Sequence, residues 1–217
     1  MAGKRTYGDP CGIARALDVV GERWALLVVR ELLLGPKRFT DLRAGLPHVG
    51  PDMLAQRLRE LEQAGVVRRD QLPPPAGARV YELTDWGHGL EPVVLGLGRW
   101  GSQAPLPRER GALGVDALVL ALKTLFDRAR AHGLIGSTFE LRLGEEVFTL
   151  RLGEAGLDAS RGPAADPVAS ITAEPGVLQG VLWHAHPPRG DELETAGDRQ
   201  AAADFLGLFP LPSAAGS

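Results

Sequence analysis

The chain has one cysteine, Cys11, in 217 residues. An internal disulfide is therefore excluded, and the usage fits a reducing cytoplasm. No apolar run approaches the length that spans a bilayer. The first ten residues, MAGKRTYGDP, are polar and lack the apolar core of a secretory signal. A cytoplasmic location and no membrane partner are expected. Also missing are G-x-S-x-G, the P-loop and the dinucleotide-binding glycine fingerprint. His184 and His186 put two imidazoles within reach, but no cysteine or clustered carboxylate completes a ligand set, so they read as a loop. The acidic run Asp191, Glu192 and Glu194 reads as solvated. No catalytic residue, metal or cofactor is expected, and the protein is not expected to be an enzyme. An excess of positive charge is absent too, since the net charge is -3. The balance is uneven. Residues 1–103 carry 14 Lys+Arg and 12 Asp+Glu, or +2, and residues 104–217 carry 10 and 15, or -5. A basic surface on the first half can bind phosphates while the second half makes the total negative.

What is present is ordinary globular material, 44% hydrophobic and 24% charged, with room for two small domains or one large one. Residues 10–20 predict a first helix, capped by Asp9, with Ile13, Leu17 and Val20 on one side. ERWALLVVRELLL, residues 22–34, predicts a strongly apolar second helix that forms a core and stops at Gly35-Pro36. Thr40 opens a short third helix, TDLRAGL, with Leu42 and Leu46 facing inward. After the turn PHVG comes PDMLAQRLRELEQA, from Pro51 to Ala64. Leu54, Leu58 and Leu61 repeat at i, i+4 and i+7, and Met53, Gln56, Arg57, Arg59, Glu60 and Gln63 are placed outside that stripe. Gly50 and Pro51 suit the start of this helix and Gly65 its end. Two short helices joined by a turn form a helix-turn-helix, whose second helix can enter the major groove.

Past Gly65 the period changes. VVRRDQL and ARVYELT are extended runs separated by PPPAG, which predicts a hairpin, here a wing. Thr84 caps a further helix, DWGHGLEPVVLGLGRWG, with a kink or break at Pro92. Its aliphatic and tryptophan content points to dimerisation, or to a docking surface for the second half. Residues 103–113 read as a linker. GVDALVLALKTLFDRARAH then predicts an amphipathic helix, and STFELRL, EVFTLRL, GLDASRG and PVASITA a run of strands forming an antiparallel meander. EPGVLQGVLWH and GDRQAAADFLGLFPL predict two closing helices. The fold class expected is α+β: an N-terminal winged helix-turn-helix (1–102), a linker (103–113) and a C-terminal α/β sandwich (114–217).

The order over residues 9–102 resembles the HxlR family of winged helix-turn-helix regulators. The resemblance rests on CGIARALDVVGERWALLVVRELLLGPKRFTDLRAGLP, MLAQRLRELEQAGVVRR and VYELTDWG. It implies a homodimer that binds inverted-repeat double-stranded DNA through the recognition helix and wing. Carried onto this sequence, the groove-facing candidates are Asp52, Met53, Gln56 and Arg57. The backbone-contacting candidates are Arg38, Thr40, Arg59, Arg68 and Arg79, with Arg69 also expected to add affinity uniformly. Asp52 stands where the family often carries a basic or neutral residue, and the second wing strand looks one residue shorter than the common form, which puts Arg79 in question. Some members of the family sense oxidants or electrophiles through a cysteine at the position of Cys11.

Residues 114–212 resemble the sterol carrier protein type 2 fold, on PVASITAEPGVLQGVL and ELETAGDRQAAADFLGLFPL. That resemblance implies an apolar cavity for a lipid or other small hydrophobic effector, lined by Leu122, Phe126, Phe139, Phe148, Leu178, Leu182, Trp183 and Phe205. The same residues at the same spacing would equally make a filled core. The reading is a dimeric transcription regulator with a hydrophobic effector sensed by the second domain. Two alternatives stay open: a thiol switch at Cys11 with a structural second domain, or a lipid- or small-molecule-binding protein whose winged helix serves only protein contacts.

Overall fold

A computed structural model describes residues 6–71, 77–104, 111, 113–184 and 186–212. The chain divides into two compact units, Met1–Val94 and Leu95–Ser217. The PPPAG tip of the wing, apart from Gly77, lies outside the described residues, as does most of the expected linker.

The first unit opens with α1 (Gly12–Val20) and α2 (Ala25–Leu32). Asp9 does not cap α1; Cys11 holds that position, and Asp9 Oδ1 instead accepts from the Cys11 amide at 2.8 Å. Of the expected apolar side only Val20 is buried, while Ile13 is 73% exposed and Leu17 43% exposed. The α1–α2 turn is tight: Trp24 sits at φ 76°, among the described residues the only one other than glycine in left-handed backbone. Helix α2 is shorter than expected but serves as the core, with Ala25, Val28, Val29 and Leu32 fully buried.

Next come α3 (Phe39–Gly45) and α4 (Pro51–Gln63). Helix α3 starts one residue earlier than Thr40. Arg38 is its N-cap, and the Asp41 carboxylate accepts from the Arg38 amide at 3.2 Å. Leu42 and Leu46 are buried as expected. In α4, Gly50 is the N-cap and Pro51 falls in the first turn, where its missing N–H leaves nothing unsatisfied. Leu54, Leu58 and Leu61 are fully buried against α2, each such burial being worth roughly 1.5–3 kcal/mol. Gly65, at φ 76°, turns the chain into the wing.

The wing is β1 (Val67–Gln71) and β2 (Arg79–Leu83), antiparallel, with Val67 opposite Leu83 and Gln71 opposite Arg79. Lys37 bridges to Tyr81, attaching the segment before α3 to the hairpin. The helix expected after Thr84 is two: α5 (Asp85–His88) and α6 (Glu91–Gly101). Thr84 caps the first through its hydroxyl, which accepts from Gly87 N at 3.1 Å. The break falls at Gly89-Leu90, so that Pro92 sits in the first turn of α6.

The second unit contains α7 (Val115–Leu125), a five-stranded sheet and two further helices. Helix α7 ends before Phe126, shorter than the run to His132 suggested, and a single 3-10 turn follows at Arg128–Arg130. Strands β3 (Thr138–Leu143), β4 (Glu146–Gly153) and β5 (Gly156–Arg161) form an antiparallel meander. Strand β6 (Ala169–Ala173) does not extend it. It crosses over and pairs parallel with β3, Leu141 opposite Ile171. This corrects the four-strand meander: period 2 gives strand positions but not the order of pairing. After α8 (Pro175–Trp183), β7 (Leu193–Gly197) adds antiparallel to β6, giving the order β5-β4-β3-β6-β7. Helix α9 (Arg199–Leu206) closes the unit, capped by Asp198, whose carboxylate accepts from Gln200 N and Ala201 N.

Candidate nucleic-acid interface

Helix α4 buries one side in the first unit, and what remains outside is set by that packing. Asp52, Met53, Gln56 and Arg59 are exposed, Met53 by 41%. Asp52 lies in the first turn, where a carboxylate is favourable beside the free N–H groups whatever else it meets. Gln56 Nε2 donates to Glu60 at 2.9 Å, one turn on.

Arg57 is the exception and corrects the expectation. It is 4% exposed, so it does not belong with the groove-facing residues. The reason is positional: Arg57 is i+3 from Leu54 and i−4 from Leu61, inside the apolar stripe rather than beside it. Its guanidinium is ion-paired with Glu60 and lies 3.6 Å from Glu22 of the α1–α2 turn and 3.9 Å from Met53 Sδ.

The expected backbone-contacting residues Arg38, Thr40, Arg59, Arg68, Arg69 and Arg79 are all exposed. The two first wing arginines are each engaged by a carboxylate of the same chain. Arg68 Nε donates to Glu82 at 2.6 Å across the hairpin, and that hydrogen bond, followed by the Glu82 charge, raises the arginine's pKa. Arg69 pairs with Glu62 at 3.0 Å and lies over the Tyr81 ring at 5.5 Å. Arg79 stands opposite Gln71 at the far end of the hairpin.

Between α3 and α4 the turn leaves an open groove lined by Thr40, Arg43, Ala44, Pro47, His48, Val49, Gly50 and Pro51. Arg43 and His48 are exposed there, and sequence reasoning passed over both. The available signal was their place flanking the helix-turn-helix turn, not any spacing.

A second buried charge lies on α2. Glu31 of α2 is 2% exposed and pairs with Arg30 at 2.8 Å and Lys37 at 2.7 Å. A side chain at Gly45 would place Cβ 2.2 Å from the Glu31 carboxylate, so the glycine lets α3 close onto it.

In the second unit, two of the residues expected to line a cavity contact each other. Phe139 stacks on Phe205 at 4.5 Å between centroids, and Phe205 meets Phe209 edge-on at 5.0 Å. Leu122, Phe139, Phe148, Leu178 and Phe205 are buried, whereas Phe126, Leu182 and Trp183 are half-buried. Trp183 Nε1 donates to the Phe209 carbonyl at 2.9 Å. Phe209, not among the expected residues, is the one that joins Phe126 and Phe205. His184 and His186 follow α8 as the loop reading expected, their rings 6.2 Å apart. Among the described residues no three His, Cys, Asp or Glu gather as a metal site, and no helix is long and apolar enough to cross a membrane.

A short helix, a turn, a second helix with a polar outer edge and a basic hairpin define a winged helix-turn-helix, a DNA-binding class. Residues 19–108 match the family described as HxlR-like helix-turn-helix. The chain is 38% identical over 89 residues to "Uncharacterized HTH-type transcriptional regulator YvaP" of Bacillus subtilis (strain 168), covering 41% of this chain and 82% of that protein. It is 38% identical over 88 residues to "HTH-type transcriptional regulator YodB" of the same organism, covering 41% and 79%. Among solved structures, "Redox regulator HypR in its oxidized form" is 34% identical, covers 45% of this chain and all of that one, and gives a TM-score of 0.42. The chain belongs to the HxlR-like helix-turn-helix family and is a DNA-binding transcriptional regulator.

Proposed function

We propose that the chain acts as a cytoplasmic homodimer on an inverted-repeat operator, with Asp52, Met53 and Gln56 at base edges and Arg38, Thr40, Arg59, Arg68, Arg69 and Arg79 along the phosphates. One observation carries this reading: α4 keeps Asp52, Met53, Gln56 and Arg59 exposed, and the arginines at the start of α3 and on the wing are exposed as well. The dimer is supported by apolar side chains that packing leaves outside, Ile13 and Leu17 on α1 and Val93, Leu97 and Trp100 on α6. Two recognition helices then address half-sites about one helical turn, ~34 Å, apart.

The second domain, 114–217, is proposed as a sterol-carrier-like module that takes a small hydrophobic effector. Support comes from the strand-into-helix passage β6–α8 and from the Gly197-Asp198 turn between β7 and α9. The aromatic packing of Phe139 on Phe205 sets the condition: a ligand must displace side chains that now touch. Such a ligand regulates only if it prefers one dimer geometry.

A second reading takes the signal at Cys11, favoured by its exposure at the N-terminal end of α1. A thermal-shift screen of hydrophobic metabolites, with and without DNA from the chain's own upstream region, separates the two. A ligand that raises Tm and weakens DNA binding supports the effector domain. DNA binding that persists with no stabilising ligand sinks it and turns attention to Cys11.

A further inference from the structure

We infer that Arg57 is the positioning residue of the recognition helix: it ties α4 to the α1–α2 turn and holds the exposed Met53 side chain, without itself contacting DNA. The inference rests on the reading of α4 as the helix that meets the groove.

Three observations converge on this side chain. It occupies a position of the α4 stripe that packing would fill with an aliphatic residue, and it is 4% exposed. Its guanidinium reaches in three directions: to Glu60 one turn on, to Met53 Sδ one turn back, and to Glu22 outside the helix. Its Nε is buried and has no hydrogen-bond partner. A buried guanidinium with an unmet donor is a poor device for stability, because an apolar residue of similar size in such a place is often neutral or stabilising. What the arginine supplies is direction. A planar fork fixes several partners at once, which a lysine ammonium does not.

The partner outside the helix is itself held. Glu22 lies two residues before Trp24, whose φ of 76° marks a sharp turn, and the Glu22 carbonyl accepts from Ala25 N at 3.1 Å. The Glu22 carboxylate is 67% exposed, so its pair with Arg57 adds little energy; what it supplies is a directional contact between α4 and the α1–α2 turn. Met53 is 41% exposed on the edge left to meet DNA, so the guanidinium that orders the inner side of α4 also steadies a residue of its outer side. A misplacement of such a helix weakens the matched sequence and leaves in place the phosphate contacts made outside α4.

The test uses the full-length protein and a duplex that the wild type selects from a random-sequence pool. Binding is titrated against that duplex and a scrambled one, at several salt concentrations, for wild type, Arg57→Met, Glu22→Gln and the double variant. Melting is recorded for each. Arg57→Met should lower affinity for the selected duplex about tenfold, a loss of the order seen for one mismatched base pair, and leave the scrambled duplex unchanged. Its salt slope should stay at the wild-type value. Glu22→Gln should give a smaller loss of the same kind, and the double variant should be no worse than Arg57→Met. A slope that falls by about 0.9 would make Arg57 a phosphate contact and overturn the inference. So would preference relaxed at a single base pair, equal loss on both duplexes, or additive losses in the double variant. If Arg57→Met does not fold, Glu22→Gln at its exposed site decides by the same readings. A wild type that selects no duplex defeats the DNA-reading role of α4 itself, which is distinct from any result in which wild type binds and the variants fail to differ.

Discussion

In the first unit the candidate site is what packing leaves over; in the second it is what packing uses up. Helix α4 gives Leu54, Leu58 and Leu61 to the core and keeps Asp52, Met53, Gln56 and Arg59 outside. The second unit turns Phe139, Phe148 and Phe205 fully inward, where the first and last stack at 4.5 Å. A surface site of the first kind is decided once the buried side of one helix is known. An internal site of the second kind is decided only by whether facing elements fill the space between them, which depends on side chains far apart in the chain.

The comparison breaks first at Phe205. If the second unit is packed throughout, Phe205→Ala removes a fully buried ring stacked on Phe139 and meeting Phe209, and should destabilise by about 3–5 kcal/mol. Urea unfolding followed by the tryptophan signal measures it. A loss under about 1 kcal/mol would mean that the ring borders space rather than filling it, and would favour a cavity over a core.

The wing offers the next largest effect. Arg69 is exposed, paired with Glu62 and stacked near Tyr81. As a phosphate contact, Arg69→Ala should weaken binding to selected and scrambled duplexes alike and lower the salt slope by about 0.9. An unchanged slope would leave Arg69 as a surface ion pair, contributing roughly 0–1 kcal/mol to stability and nothing to DNA.

Asp198→Ala sharpens the contrast from the other side. Its carboxylate accepts from two amides at the start of α9, the helix that carries Phe205. Loss of such a cap costs typically about 1 kcal/mol, read as a lowered urea midpoint with an unchanged slope. A larger loss would show that the cap also fixes the β7–α9 turn, where a side chain at Gly197 would meet the Val168 carbonyl at 2.5 Å.

The unequal legibility of the two units follows from the same difference. The helix-turn-helix and wing were readable because each element carries its own punctuation: Pro51 and Gly65 around α4, Thr84 before α5, Gly89 and Pro92 at the α5–α6 break. Arg57 departs from the expectation because polarity is not evidence of exposure, and its spacing from Leu54 and Leu61 places it inside. Arg38 displaced Thr40 as the cap of α3 because Asp41, three residues on, can accept from the Arg38 amide. In the second unit strands β3 to β6 were legible as extended runs. The parallel pairing of β6 with β3 was not, because a crossover leaves no mark on the period of either strand. Phe209 stands i+4 from Phe205 within the run expected as the closing helix, but α9 ends at Leu206, so its ring meets Phe205 from beyond the helix.

The smallest expected effect concerns Cys11. It is exposed, caps α1 without a side-chain hydrogen bond, and lies two residues from the exposed Ile13. Cys11→Ser should therefore change stability by less than about 0.5 kcal/mol and leave DNA affinity of the reduced protein at the wild-type value. Its worth is in what happens under diamide. If the wild type releases DNA and Cys11→Ser does not, the first unit contains both the reading surface and the input, and the aromatic core of the second needs no ligand to explain regulation. If both proteins hold DNA equally in diamide, the thiol is bystander surface. The input then lies with the second unit, and the Phe139–Phe205 stack becomes the place where a hydrophobic effector has to enter.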